Sequence, residues 1–389
     1  MTLPVTGTTG EGTAHRQATP FVLSKRHLSI HAPGSLDVFD DAHEAAARLR
    51  EGRLPAVVGA LPFDWTGPAA LTVPAELHRL PGPWSSTSSS TPSSDSVPDC
   101  VVLDRLPSPD GHLAAVGSAL RRLRSPDDPL TKVVLARSLV LGADRPIPPT
   151  ALVRRLVAND AAGNGFCVDL TPAGAPYLGR TLVGSSPELL VRRSGREVSC
   201  FPLAGTAARV ADPEQDAAVA QSLTRSVKDL GEHAIVVEGL MKSLDALCRE
   251  VQAPDSPSLV RTPSLWHLGT PISGILRNER TSALDLALAL HPTAAVCGHP
   301  RAQARDAIAE IEGDRGFYAG AVGWCDARGD GEWMVAIRCG EITADRRSIR
   351  VFAGGGIVAR SDPRAELAET SAKFTAMLTA LGATEHAPG

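Results

Sequence analysis

The sequence predicts an α+β fold in which antiparallel sheets carry helices on their outer faces. Strand-like runs rich in Val, Ile and Leu come mostly as neighbours joined by Gly or polar turns, as in YLGRTLVGSS, ELLVRRSG and EVSCFPLAG. Helical spacing is confined to separate stretches instead of following every strand, so the βαβ rhythm of a parallel sheet is missing. No GxGxxG follows a first strand, which argues against a Rossmann domain.

Taken in order, residues 1–20 lack the charged-then-apolar order of a signal peptide and read as a flexible tail. Residues 84–99 (WSSTSSSTPSSDSVPD) cannot bury apolar area and read as a mobile loop within one domain, 21–389. KVVLARSLVL (132–141) is β-branched and strand-like. PTALVRRLVAND (149–160) has helical spacing and opens on Pro-Thr. The stretch 212–251 is helical, with a break or bend expected at Gly231. SLWHLGTPISGIL returns to strand, SALDLALALHP is a short helix stopped by Pro292, and ARDAIAEIE is another helix. FYAGAVGWCD, EWMVAIRCGEIT and SIRVFAGGGIV are three strands, and a final helix is expected from about Asp362 to Leu381.

Composition narrows the function classes. The 389 residues carry a formal net charge of −4, which offers no basic footprint for nucleic acid. No run approaches the roughly 20 apolar residues needed to cross a bilayer. Seven cysteines show no CxxC pair and no Cys/His metal spacing, so reduced thiols in the cytoplasm are expected and zinc is not. There are only five lysines (Lys25, Lys132, Lys228, Lys242, Lys373) against 34 arginines, so a retained lysine carries slightly more weight.

The stretch from Val351 to Phe374 places three glycines, Gly354 to Gly356, ahead of the final helix. It matches neither a Walker loop nor the dinucleotide fingerprint. A tight turn or bulge is one reading. A close backbone approach to an anion, a carboxylate as readily as a phosphate, is the other. Glu366, Glu369 and Lys373 share one face of the helix behind it. Taken alone, Glu369 and Lys373 read as an ordinary solvated i,i+4 pair. Asp229 and Glu232 repeat the i,i+3 carboxylate spacing on the helix of KDLGEH. Two such helices would meet the needs of Mg²⁺, which takes one or two carboxylates plus water and an anionic substrate.

Eight ordered segments then carry a resemblance: SSPELLVRR (185–193), FPLAGTAAR (201–209), KDLGEHAIVVE (228–238), LWHLGTPISG (265–274), ALHPTAAVCGHP (289–300), GFYAGAVGWCD (316–326), GDGEWMVAIRC (329–339) and FAGGGIV (352–358). Together they resemble the chorismate-utilising enzymes, the anthranilate synthase component I-like group, and within it the siderophore-type isochorismate synthases. Residues 130–381 match closely, and VVGALPFDW (57–65) more loosely.

The resemblance implies two antiparallel sheets packed together with helices outside and the site between them. It implies chorismate as substrate and Mg²⁺ as cofactor, and no glutaminase subunit is expected. The sequence does not encode an oligomeric state, and a monomer is only the simplest assembly. Lys132 matches the base that activates water for attack at ring C2, and Glu188 the acid that protonates the departing C4 hydroxyl. Glu232 and Glu369 match direct metal ligands, with Asp229 and Glu366 reaching the metal through water. Arg338 matches the arginine on the enolpyruvyl carboxylate. Gly205, Thr206, His267, Gly354 and Lys373 match substrate-binding positions, while His267 and His291 also read as satisfied structural histidines.

Lys132 favours water over ammonia as nucleophile. Salicylate synthases, the alternative outcome, tend to carry Thr and Tyr where this chain has Gly269 and His299. A chorismate-binding protein without catalysis is the other alternative, opposed by the intact Lys132, Glu188, Glu232 and Glu369. Gly269, His299, Gly355 (a frequent alanine) and the shortened Glu312-Gly-Asp-Arg315 depart from the pattern and are expected to reshape the pocket.

Overall fold

A computed structural model describes residues 20–84 and 96–383. The tail over 1–19 and most of the Ser/Thr-rich run lie outside these residues; Trp84, at its edge, is buried.

Among the described residues every strand pairing is antiparallel, as the hairpin pattern predicts. One large sheet runs Gly298–His299, Lys132–Ala143, Ser348–Val358, Cys339–Ile342, Thr181–Gly184, Gly165–Asp169, Phe21–Ser24, Leu28–Ala32, His78–Pro81, with Cys100–Leu106 also on Lys132–Ala143. The second runs Cys248–Gln252, Ile272–Leu276, Glu197–Phe201, Leu189–Ser194, Gly331–Val335, Ala321–Asp326, Ala56–Leu61, Ala70–Pro74, Ser35–Phe39. A third, small sheet (Leu203–Ala208, Leu265–Gly269, Ser258–Arg261) was not anticipated.

The main core includes Phe166, Leu182, Val191, Val322 and Trp333 from the two large sheets. A second core joins Leu139, Leu141, Val183, Ile349 and Val351 of the first sheet to Leu152, Val153 and Leu156 of helix Pro149–Asn159 and to Phe374 and Met377 of helix Pro363–Ala380. That second core fixes the last helix against the strand that carries the three glycines. No helix among the described residues is long and apolar enough to cross a membrane.

Helix ends follow local chemistry. Asp362 caps the last helix by accepting from the backbone N–H of Arg364 and Ala365, with Pro363 at the first position. The 212–251 stretch is two helices, Pro213–Leu223 and Val227–Asp245, and the break falls at 224–226 rather than at Gly231. Ser226 starts the second helix by accepting from the Asp229 N–H. Gly231 continues it, because the glycine penalty of about 1 kcal/mol is outweighed by packing of Val236, Leu240 and Leu244 in the core.

The three glycines form neither a turn nor a bulge. They lie inside the strand Ser348–Val358, where Gly354, Gly355 and Gly356 pair in unbroken register with Ala136, Leu135 and Val134. Their need for glycine is steric: a Cβ on Gly356 would lie 2.1 Å from Glu232 Oε1, and one on Gly354 2.7 Å from the Tyr318 hydroxyl.

Candidate active site

The glycine strand faces a cavity lined by Glu188, Gly205, Thr206, Glu232, His267, Arg338, Gly354, Glu369 and Lys373, nine of the twelve residues expected from the sequence. Lys132 lies just behind Glu232, fully buried, its Nζ 3.0 Å from Glu232 Oε1 but outside hydrogen-bond geometry. Asp229 and Glu366 also stand behind the lining, each within electrostatic reach of Glu369.

Two helix N-termini supply the acidic side. Glu232 comes from helix Val227–Asp245 and is 8% exposed. Burial pushes its carboxyl up, but Lys132 and then Lys228 outweigh burial and hold it below the usual range. Glu366 and Glu369 come from helix Pro363–Ala380. Glu366 is 1% exposed; burial and then Glu369 raise its carboxyl against the pull of Lys228. Burial likewise raises Asp229, with Glu232 and Glu369 adding to it.

Each glutamate leans on a lysine. Lys132 pairs with Glu232, Lys228 Nζ donates to Glu366 Oε1 at 2.8 Å, and Lys373 Nζ donates to Glu369 Oε1 at 2.5 Å and to the Gly354 carbonyl at 2.8 Å. Three of the five lysines in the chain therefore sit on one acidic cluster. Among the described residues no three Asp, Glu, His or Cys side chains already stand in a ligating arrangement.

The residues nevertheless fit a hard divalent cation. The donors are all carboxylate oxygens, the set suited to Mg²⁺. Gly356 leaves the space beside Glu232 that a Cβ would fill, and Gly355 does the same beside Glu366. Glu366 Oε2 is buried and makes no hydrogen bond; Ser361 assists the carboxyl from outside hydrogen-bond geometry.

Glu188 is the acid-side candidate. It is 3% exposed, and burial pushes its carboxyl up to about 7 despite Lys132, the Leu203 backbone N–H, Lys373 and Arg338. A carboxyl in that range is protonated in a large share of molecules near neutral pH and releases the proton easily.

Arg338 and its neighbours are the candidates for contacts to an anion. Arg338 adopts φ +52°, an uncommon conformation for a side-chain-bearing residue. Burial lowers its guanidinium only to about 10, so it stays charged at neutral pH. Its Nη2 donates to His267 Nε2 at 3.2 Å, and His267 Nδ1 lies 3.0 Å from Thr206 Oγ1. Because arginine only donates, His267 Nε2 is the acceptor and its Nδ1–H faces Thr206. Burial, Arg338 and Lys373 hold this imidazole well below its usual range, hence neutral. Gly205, at φ +77°, lets its segment pass close to Asp229.

His291 does not line the cavity; its Nε2–H donates to the carbonyls of Pro62 and Phe63, a structural role. The expected reshaping is limited. A Cβ on Gly269 would strike Val260, Leu203 and Phe201 at 2.7–3.0 Å, so its space is already filled. His299 is exposed and does not line the cavity. Glu312 accepts from Ala136 N at 2.7 Å and pairs with Arg315, which donates to Val134 and Val296 carbonyls, so the shortened segment still braces two wall residues.

Sequence reasoning missed Lys228, His233, Thr270 and Tyr318. His233 ties the metal-candidate helix to Ala204 O and Thr270 Oγ1, and Tyr318 stacks on Phe352 beside Gly354. Lysine scarcity was the available signal for Lys228; the others lie in quoted segments with no spacing signal of their own.

The chorismate binding enzyme family matches residues 79–382. A Mycobacterium tuberculosis protein named MenF, provisionally assigned as an isochorismate synthase, is 49% identical over 93% of this chain and 96% of its own length. Isochorismate synthase DhbC of Bacillus subtilis is 40% identical over 97% and 98%. The crystal structure of a Bacillus anthracis DhbC, provisionally assigned as 2,3-dihydroxybenzoate-specific, superposes with TM-score 0.85 at 37% identity, covering 95% of this chain and 98% of that one.

Proposed function

The chain belongs to the chorismate-binding enzyme family, and we propose from that premise that it is an isochorismate synthase. Water adds at C2 of chorismate, the ring double bonds shift, and the C4 hydroxyl departs. Lys132 takes the proton from the attacking water, and Glu188 gives its proton to the leaving hydroxyl, which departs as water. One water enters and one leaves, so the reaction is an isomerisation.

The observation that carries this reading is the pairing of opposite proton roles around one cavity. Glu188 lines it with a carboxyl held near 7, and Lys132 is buried behind Glu232 of the same wall. Arg338 presents a charged fork suited to the enolpyruvyl carboxylate. Thr206, its hydroxyl receiving a hydrogen bond from His267, has its own proton free to donate to a substrate oxygen. Glu232 and Glu369 would hold Mg²⁺, with Asp229 and Glu366 behind them. When bound, that ion supplies positive charge against the ring carboxylate. The filled space at Gly269 leaves no room for the threonine of salicylate synthases, which favours release of isochorismate without pyruvate loss. The Bacillus anthracis relative, assigned as 2,3-dihydroxybenzoate-specific, supports a 2,3-dihydroxybenzoate route for the product.

The test is incubation with chorismate and Mg²⁺, followed by chromatography of the products. Isochorismate without pyruvate is expected. Salicylate with pyruvate, or unchanged chorismate, overturns the proposal. Lys132→Ala is expected to abolish turnover while largely retaining chorismate affinity; wild-type rates would remove Lys132 as the base.

A further inference from the structure

We propose that Lys228 is a built-in competitor for the metal, an ammonium that neutralises Glu366 in the metal-free protein and holds metal affinity down. This rests on the reading above, that the four carboxylates form a divalent-cation site.

The first observation is electrostatic position. Lys228 is the second residue of its helix, where a cation opposes the helix dipole. It therefore does not serve its own helix. Its partner Glu366 lies in the first turn of helix Pro363–Ala380, 138 positions away. The pair spans the two helix N-termini that carry all four candidate ligands.

The second is that Glu366 is half used. Oε1 accepts from Lys228, while Oε2 is buried without a hydrogen bond and lies 3.2 Å from where a Cβ on Gly355 would stand. The carboxylate is thus oriented by the lysine with one oxygen left for a second cation.

The third is charge balance. Asp229, Glu232, Glu366 and Glu369 face Lys132, Lys228 and Lys373. Removal of Lys228 takes one positive charge from this set, so a divalent ion meets one more net negative charge. Lys228 also interacts with Glu369 and Glu232, so its charge acts on the whole set. It is 26% exposed against 1% for Glu366, so its side chain has solvent to move into when a metal enters.

The experiment is titration with Mg²⁺ alone, and with Mn²⁺ alone, by calorimetry on substrate-free full-length protein. Thermal melts with and without metal accompany it. Lys228→Met is expected to bind the metal at least tenfold more tightly than wild type. It should melt lower without metal, because Glu366 is left buried and unpaired, and recover on metal addition. The double variant Lys228→Gln/Glu366→Gln removes both charges and with them one candidate ligand, keeps the net charge, and is expected to bind no more tightly than wild type, with no loss in melting temperature. Lys242→Met, exposed at the far end of the same helix, should change neither quantity.

Metal affinity in Lys228→Met equal to or weaker than wild type overturns the proposal, as does tighter binding by the double variant or no metal binding by any variant. The two readings fail separately. Metal binding that follows this pattern in a protein that makes no isochorismate sinks the assigned reaction alone. Isochorismate formation by a protein whose Lys228→Met variant binds metal more weakly sinks the competitor alone.

Discussion

Replacing Glu188 by Gln should make the protein more stable, and only at high pH. Glu188 is 3% exposed, and burial raises its carboxyl from 4.5 to about 7. At about 1.4 kcal/mol per pH unit that gap corresponds to about 3 kcal/mol. The sign follows from linkage. The folded state binds this proton more tightly than the unfolded chain, so the stability it confers is fully present below pH 4.5. That stability is lost as pH rises towards 7 and does not return above it. Gln is a neutral isostere and escapes the loss. Urea unfolding of both proteins, without substrate or metal, at pH 4.5 and pH 8 measures the effect. The two should be nearly equal at pH 4.5, and the Gln variant more stable by about 3 kcal/mol at pH 8. The same variant should lose turnover, since it has no proton to give. An equal difference at both pH values, or a less stable Gln variant at pH 8, would refute the assignment of a buried, proton-holding carboxyl.

Gly356→Ala places a methyl 2.1 Å from Glu232 Oε1, so it should cost about 1–3 kcal/mol in stability and weaken Mg²⁺ binding; a melt and a metal titration check both. Arg338→Lys keeps the charge but not the fork that reaches His267, and kcat/KM for chorismate should fall about 100-fold, chiefly through KM. Glu369→Gln removes one carboxylate and releases Lys373, so Mg²⁺ affinity should fall on the order of 100-fold or more in calorimetry, with activity lost in parallel.

Hairpin order and helix caps were legible because they depend on neighbours in sequence. The last helix begins where Asp362 and Pro363 put it, and the antiparallel pairing follows from closely spaced strand-like runs. The role of the three glycines was not legible. Glycine signals either a special backbone angle or a missing side chain, and only the packed structure separates them. Here none of the three has positive φ, and the missing Cβ atoms make room for Glu232, Glu366 and Tyr318. Gly231 misled for the same reason, since a helix interior tolerates a glycine that packing compensates.

Most residues that the structure gathers at the cavity were picked out through ordered motifs rather than spacing. An i,i+4 pair such as Glu369 and Lys373 has the same sequence signature on any exposed helix. What distinguishes it here is that Lys373 also reaches the Gly354 carbonyl and that three further carboxylates stand nearby. The Lys228–Glu366 contact joins residues 138 apart, and no local pattern encodes it.

Water addition at C2 is tested by turnover of chorismate with Mg²⁺ in ¹⁸O-labelled water, read by mass spectrometry at early times. Isochorismate carrying one solvent oxygen at C2 is expected, with no pyruvate and no labelling of unreacted chorismate. Isochorismate without the label, or no isochorismate at all, would contradict water addition at C2.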